Sequence, residues 1–99
     1  MEKPGKTEII DFLRKNREFL KSKYGVKSIG LIGSYARDEQ TEESDIDFLV
    51  EFTEISFSFH AGLLNFLENT FGRKVDIIRD RESLRKVLSE RLHKEALYA

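Results

Sequence analysis

Three aspartates stand where aspartate is a poor choice. Asp45 and Asp47 alternate with Ile46, Phe48, Leu49 and Val50, and Asp76 interrupts the run Val75-Asp76-Ile77-Ile78. Aspartate is depleted in strands and seldom buried without a partner, so carboxylates set among residues that favour a sheet need a reason. Alternation along a strand turns Asp45 and Asp47 to one face, roughly 7 Å apart at the backbone, and Ile46, Phe48, Val50 and Phe52 to the other. Like charges this close repel and raise one another's pKa unless a cation lies between them. Oxygen ligands of this kind suit hard divalent cations, Mg²⁺ above all. With Asp76 as a third carboxylate, one sheet face has ligands for two metal ions ~4 Å apart, the arrangement used for in-line phosphoryl transfer.

Upstream, the stretch Leu31-Ile32-Gly33-Ser34-Tyr35-Ala36-Arg37 reads as a strand that ends in a glycine turn and opens a short helix. Backbone N–H groups at such a turn point at an anion. Gly33 lets a phosphate approach the backbone, Ser34 adds a hydroxyl donor, and Arg37 supplies a permanent cation with fork geometry. Other readings of these residues fail. Ile46, Phe48 and Leu49 suit a strand rather than a calcium loop, and no Gly or distant Glu follows Asp47 at loop spacing. Gly30-x-x-Gly33 is not a dinucleotide fingerprint, and no Gly-Lys-Ser/Thr phosphate loop is present.

Gly33-Ser34, ten residues, then Asp45-x-Asp47, with a single Asp on a later strand, resembles the polymerase-beta-type nucleotidyltransferase superfamily. Within it the chain is most similar to the minimal nucleotidyltransferase branch, often encoded beside a HEPN-type protein as a toxin–antitoxin pair. The resemblance runs from "LIGSYAR" through "SDIDFLVEF" and "GRKVDII" to "RLHKEALYA". It implies a polymerase-beta-like fold and Mg²⁺-dependent transfer of a nucleoside monophosphate, AMP from ATP, to a hydroxyl. The implied acceptor is a tyrosine of the HEPN-type partner, with this chain as the antitoxin. It further implies a pair of Mg²⁺ ions, replaceable by Mn²⁺. By the same resemblance Asp45 and Asp47 would hold the metals that bind the triphosphate, and Asp76 would complete the metal site and help activate the attacking hydroxyl. Gly33 and Ser34 would cradle the phosphates and Arg37 would steady their charge. One departure is visible: Asp38 stands where the family usually has Gly after Ala-Arg, adding negative charge beside the turn. The alternative is a module with weak or no catalysis that binds nucleotide or partner and neutralises by contact. Transfer to a drug or to RNA is disfavoured, because relatives with those activities carry a further domain for the acceptor.

The elements that must position these residues follow from pattern. Thr7 is a candidate N-cap for one helix through Tyr24, with Ile9, Leu13 and Leu20 on its inner stripe, Ile10, Phe12 and Phe19 widening it, and Gly25 as its stop. Residues 26–33 form a buried strand, 38–44 a solvated loop and 45–52 a second strand. Phe59, Leu63, Phe66 and Leu67 mark a helix closed by Gly72, and "RKVDIIRD" is a third strand. Asp80 caps a last helix that reaches the end of the sequence, with Leu84, Val87, Leu88 and Leu92 on one face. The expected class is therefore α+β (α/β): a small mixed sheet with helices packed mainly on one face. His60 and His93 read as surface histidines, and Tyr35 as either a packing or a nucleotide-stacking residue.

Composition bounds the rest. With 99 residues, 39% of them hydrophobic and 11% aromatic, the expectation is one folded domain spanning 1–99. Charged residues make up 35% but balance to a net charge of -1, so direct nucleic-acid binding, which usually shows as basic excess, is not expected. No cysteine is present, which excludes disulfides and thiolate zinc sites. No apolar stretch approaches the ~20 residues of a membrane span, and "MEKPGKTEII" lacks a signal-peptide core. The expectation is a cytoplasmic protein without membrane contact; self-association stays open.

Overall fold

The structure, a computed structural model, describes residues 3–80 and 86–99, with side chains described outside 81–89. Two helices, α1 (Lys6–Lys15) and α2 (Arg17–Tyr24), lead into strand β1 (Val26–Ile32). A short helix α3 (Gly33–Ala36), strand β2 (Ile46–Phe52), helix α4 (Phe57–Phe71) and strand β3 (Val75–Arg79) follow. Helix α5 (Lys86–Glu95) and a brief strand β4 (Leu97–Tyr98) come last. The sheet order is β3-β2-β1-β4. β1 runs antiparallel to β2 and β4, whereas β2 and β3 are parallel, joined by the α4 crossover. The sheet is mixed, as expected.

Period-two alternation divides the sheet into two faces. Ile46, Phe48 and Val50 of β2 join Ile29, Leu31 and Val75 on one face and pack against Ile9, Leu13, Leu20, Leu63, Leu67 and Phe71 from the helices. Phe48 and Phe71 stack with ring centroids 6.2 Å apart, and Phe12 meets Phe71 edge-on at 5.4 Å. Aromatic pairs of this geometry add to the area they bury. On the opposite face, among the described residues, a small apolar cluster of Ile32, Leu49 and Leu92 with Ala96 against it seats the end of α5.

Several boundaries differ from the pattern-based expectation. Residues 7–24 are two helices rather than one, broken at Asn16, whose side-chain amide donates to the Phe12 carbonyl at 2.8 Å. The Asn16 backbone N–H donates to the same carbonyl at 3.1 Å, and the chain turns where the Asn16 backbone leaves the helical region, at φ -109° and ψ 15°. The N-cap is Gly5 rather than Thr7: Glu8 reaches back to accept from the Gly5 N–H at 3.1 Å, so the first turn starts earlier. Gly25 and Gly72 do close their helices in left-handed conformation. The last helix stops at Glu95 rather than reaching residue 99, and Leu97–Tyr98 pairs with β1 instead. An unpaired edge beside Gly30 and Leu31 offers backbone partners that two more helical residues could not match. Asp80, the expected cap, is described, but residues 81–85, which follow it and include Leu84, are not; Val87 and Leu88 lie in α5 with their side chains outside those described. Leu92 is buried as expected.

Candidate active site

The candidate residues converge at one end of the sheet. β1 and β2 pair so that Ile32 faces Asp47, which places the Gly33 turn directly over the carboxylate. β2 and β3 pair in parallel with Asp47 opposite Asp76. Adjacent strands lie about 4.8 Å apart, so register alone sets these two carboxylates side by side. Asp45 lies one residue before β2 rather than within it. The ladder begins at Ile46, whose N–H donates to the Lys74 carbonyl at 3.0 Å. Asp45 still acts on Asp47 electrostatically.

Gly33 adopts φ +75°, a conformation open to glycine and costly for other residues. A Cβ here would also overlap Asp47 Oδ2. The glycine thus serves two ends: it turns the chain, and it leaves room for a carboxylate beneath the turn. Ser34 is half-buried behind it, and Arg37 lies exposed at the end of α3. Tyr35 is buried in the core and so is a packing residue.

Asp38 explains its own oddity. Its φ of 59° lies in the left-handed region, and its N–H donates to the Tyr35 carbonyl at 3.2 Å. Aspartate and asparagine tolerate this conformation best after glycine, so Asp38 keeps a turn that glycine would make without strain.

The electrostatics mark Asp47 out. Burial raises its carboxyl above the usual 3.8; Asp76, Asp45 and Glu95 raise it further, and only Arg37 opposes them. Ionised Asp47 is therefore held at a cost in the free protein. Among the described residues, no group of three or more acidic or histidine side chains is placed to hold a metal ion by itself. Mg²⁺ seldom uses an all-protein cage and is usually held by one or two carboxylates plus substrate phosphates. A donor set made only of carboxylates, below a turn with no Cβ, fits a hard divalent cation that arrives with a phosphate.

Pattern reasoning missed Glu95. Its Oε1 accepts from the Gly33 N–H at 3.0 Å and pairs with Arg37 Nη1 at 2.5 Å, bringing a fourth carboxylate to the site. One signal was available: an acid in the last turn of a helix sits at the wrong end of the dipole. The two histidines also proved less alike than expected. His60 is half-buried against Phe52, and burial lowers its pKa. His93 is exposed, pairs with Asp80 at 2.7 Å and meets the Tyr98 hydroxyl at 2.5 Å.

A mixed four-stranded sheet, a glycine–serine turn and paired carboxylates on adjoining strands define a nucleotidyl-transferring enzyme. Residues 13–99 match the nucleotidyltransferase domain family, and the chain belongs to that family. A Methanocaldococcus jannaschii protein with the provisional name protein adenylyltransferase is 46% identical over 95 residues, covering 93% of this chain and 95% of that one. The protein adenylyltransferase MntA of Thermococcus cleftensis is 36% identical over 92 residues, covering 92% of each. A solved minimal nucleotidyltransferase superposes with a TM-score of 0.72 at 36% identity, over 89% of this chain and 93% of that one. The fold recurs in the MNT antitoxin bound to the tri-AMPylated HEPN toxin of Shewanella oneidensis, with a TM-score of 0.56 at 22% identity, over 94% and 66% of the chains. No described helix is long and apolar enough to cross a membrane.

Proposed function

We propose that this protein is a Mg²⁺-dependent adenylyltransferase and antitoxin that moves AMP from ATP to a tyrosine hydroxyl of a HEPN-type partner. One observation carries the reading: the parallel register that sets Asp47 beside Asp76 under the Gly33 turn. Asp45 and Asp47 would hold divalent cations together with the triphosphate. Bound there, the cations neutralise the phosphates and lower the pKa of the attacking hydroxyl. Gly33 and Ser34 receive phosphate oxygens, and Arg37 contributes charge. Asp76 enters from the neighbouring strand, on the side open to solvent, where an acceptor hydroxyl can approach. It orients that hydroxyl in line with the bond to pyrophosphate. The names of the Methanocaldococcus and Thermococcus relatives support adenylyl transfer to protein. The HEPN partner rests on likeness of fold.

The test is direct. Purified protein, ATP and Mg²⁺ are incubated with the HEPN-type protein encoded beside it, and the partner is followed by intact mass. Addition of adenylyl groups, abolished by chelator and by a Tyr→Phe change at the modified residue, is the expected result. Neutralisation of the partner without any mass change would replace transfer by neutralisation through contact.

A further inference from the structure

Glu95 lies far along the sequence from the phosphate turn, yet its carboxylate oxygen takes hydrogen bonds from both the Gly33 N–H and the Arg37 guanidinium. A phosphate oxygen would ask for the same partners: a backbone donor and a fixed positive charge. Glu95 thus fills, from within the chain, donors that a triphosphate needs.

As a mere anchor, a glutamate is a poor choice here. Its charge acts on Asp47, which Asp76 and Asp45 already crowd, and it contributes to holding the Asp47 carboxyl above its usual value. It also ends α5, where the helix dipole disfavours an acid. A neutral glutamine could accept both hydrogen bonds without these penalties. The charge makes sense if it matches the charge of what replaces it.

Replacement is physically easy. The Arg37 side chain is 50% exposed and that of Glu95 27%, so the carboxylate can swing into solvent without opening the core. The backbone around it stays fixed by buried Leu92 on one side and by Leu97 paired with Leu31 on the other.

Resting on the nucleotide site proposed above, we infer that Glu95 is an internal stand-in for phosphate. It holds the Gly33 turn and the Arg37 guanidinium in binding geometry in the free protein, and it yields both to the incoming triphosphate. Pre-organisation of this kind lowers the ordering cost of binding, while the resident anion lowers affinity.

Glu95→Gln separates charge from geometry, because the amide oxygen can still accept both bonds. Calorimetry with Mg²⁺ and inorganic tripolyphosphate, and with Mg²⁺ and ATP, should show binding roughly tenfold tighter than wild type, since one repelling charge is gone. In the wild type, saturation with Mg²⁺ and tripolyphosphate should move the Glu95 side-chain carboxyl carbon resonance toward that of free glutamate and shift the Gly33 amide. Equal or weaker binding by Glu95→Gln, as an anchor or a metal ligand would give, overturns the stand-in role while leaving the nucleotide site intact. An unmoved Glu95 carboxyl resonance does the same, even if the variant folds poorly. Binding of neither probe by wild type or variant overturns the nucleotide site itself and the stand-in with it.

Discussion

The two faces of the sheet follow opposite rules. On the helix-covered face, Ile46, Phe48 and Val50 are fully buried within one apolar cluster. On the other, Asp47 stands beside Asp76 and near Glu95, and among the described residues Leu49 and Ile32 seat α5. One strand, β2, supplies both faces from alternate residues. Stability is concentrated on one side, which leaves the other free to hold charges that a stable fold would otherwise discard. Changes to the first face should unfold the protein and leave chemistry untouched until it does; changes to the second should do the reverse.

The largest effect belongs to the charged face. Asp47→Asn and Asp45→Asn should each reduce adenylyl transfer by about 10³-fold or more, as their proposed role in holding a catalytic metal implies. Far-ultraviolet circular dichroism should remain that of wild type. Unfolding of either variant would make the aspartate structural and erase the contrast between faces.

Phe48→Ala is the counterpart on the packed face. Phe48 is fully buried and stacks on Phe71, so truncation should cost about 3–5 kcal/mol in urea unfolding. Transfer by the folded fraction should stay near wild type.

Asp76→Asn divides the charged face further. Asp76 comes from a different strand and is exposed. Transfer should fall by roughly 10²-fold while Mg²⁺-dependent ATP binding stays within a few-fold. A binding defect equal to that of Asp45→Asn would show that the carboxylates share one role.

The smallest effect is in stability. Asp47 has its folded pKa raised above 3.8, first by burial and then by Asp76, Asp45 and Glu95. Its contribution to stability is therefore fully present below 3.8 and lost as pH rises through the raised value. At neutral pH without metal, Asp47→Asn should be more stable than wild type by about 1 kcal/mol. Thermal melts in chelator should show that advantage shrinking as the pH is lowered toward 3.8. Added Mg²⁺ and ATP should stabilise wild type and not the variant.

Much of this was legible beforehand because the informative signals were local. Alternation at residues 46–52 revealed both faces of β2, and a glycine followed by serine at the end of an apolar strand marked the turn. What could not be read depended on partners distant in sequence. Leu97 and Tyr98 carry a helical pattern and become a strand only because β1 has a free edge beside them. Glu95 gains meaning from contacts 62 and 58 residues away, at Gly33 and Arg37. The break at Asn16 is of another kind: one residue leaves the helical region while the periodic stripe continues across it.

The parallel pairing of β2 with β3 bears on how the enzyme comes into being. Asp47 and Asp76 meet only after α4 has carried the chain across the sheet, and Glu95 reaches Gly33 only after α5 has folded over the opposite face. Contacts so distant in sequence form after local ones, once the entropy of closing the loop has been met. A chain emerging from the ribosome displays its Gly33 turn and first two aspartates well before the residues that complete them. On the proposed role of Asp76, it should be without activity until β3 is seated. A slip of a single residue in that pairing would turn Asp76 to the apolar face. Under the proposed function, activity reports on correct strand registration, and only molecules that have finished folding can modify a partner.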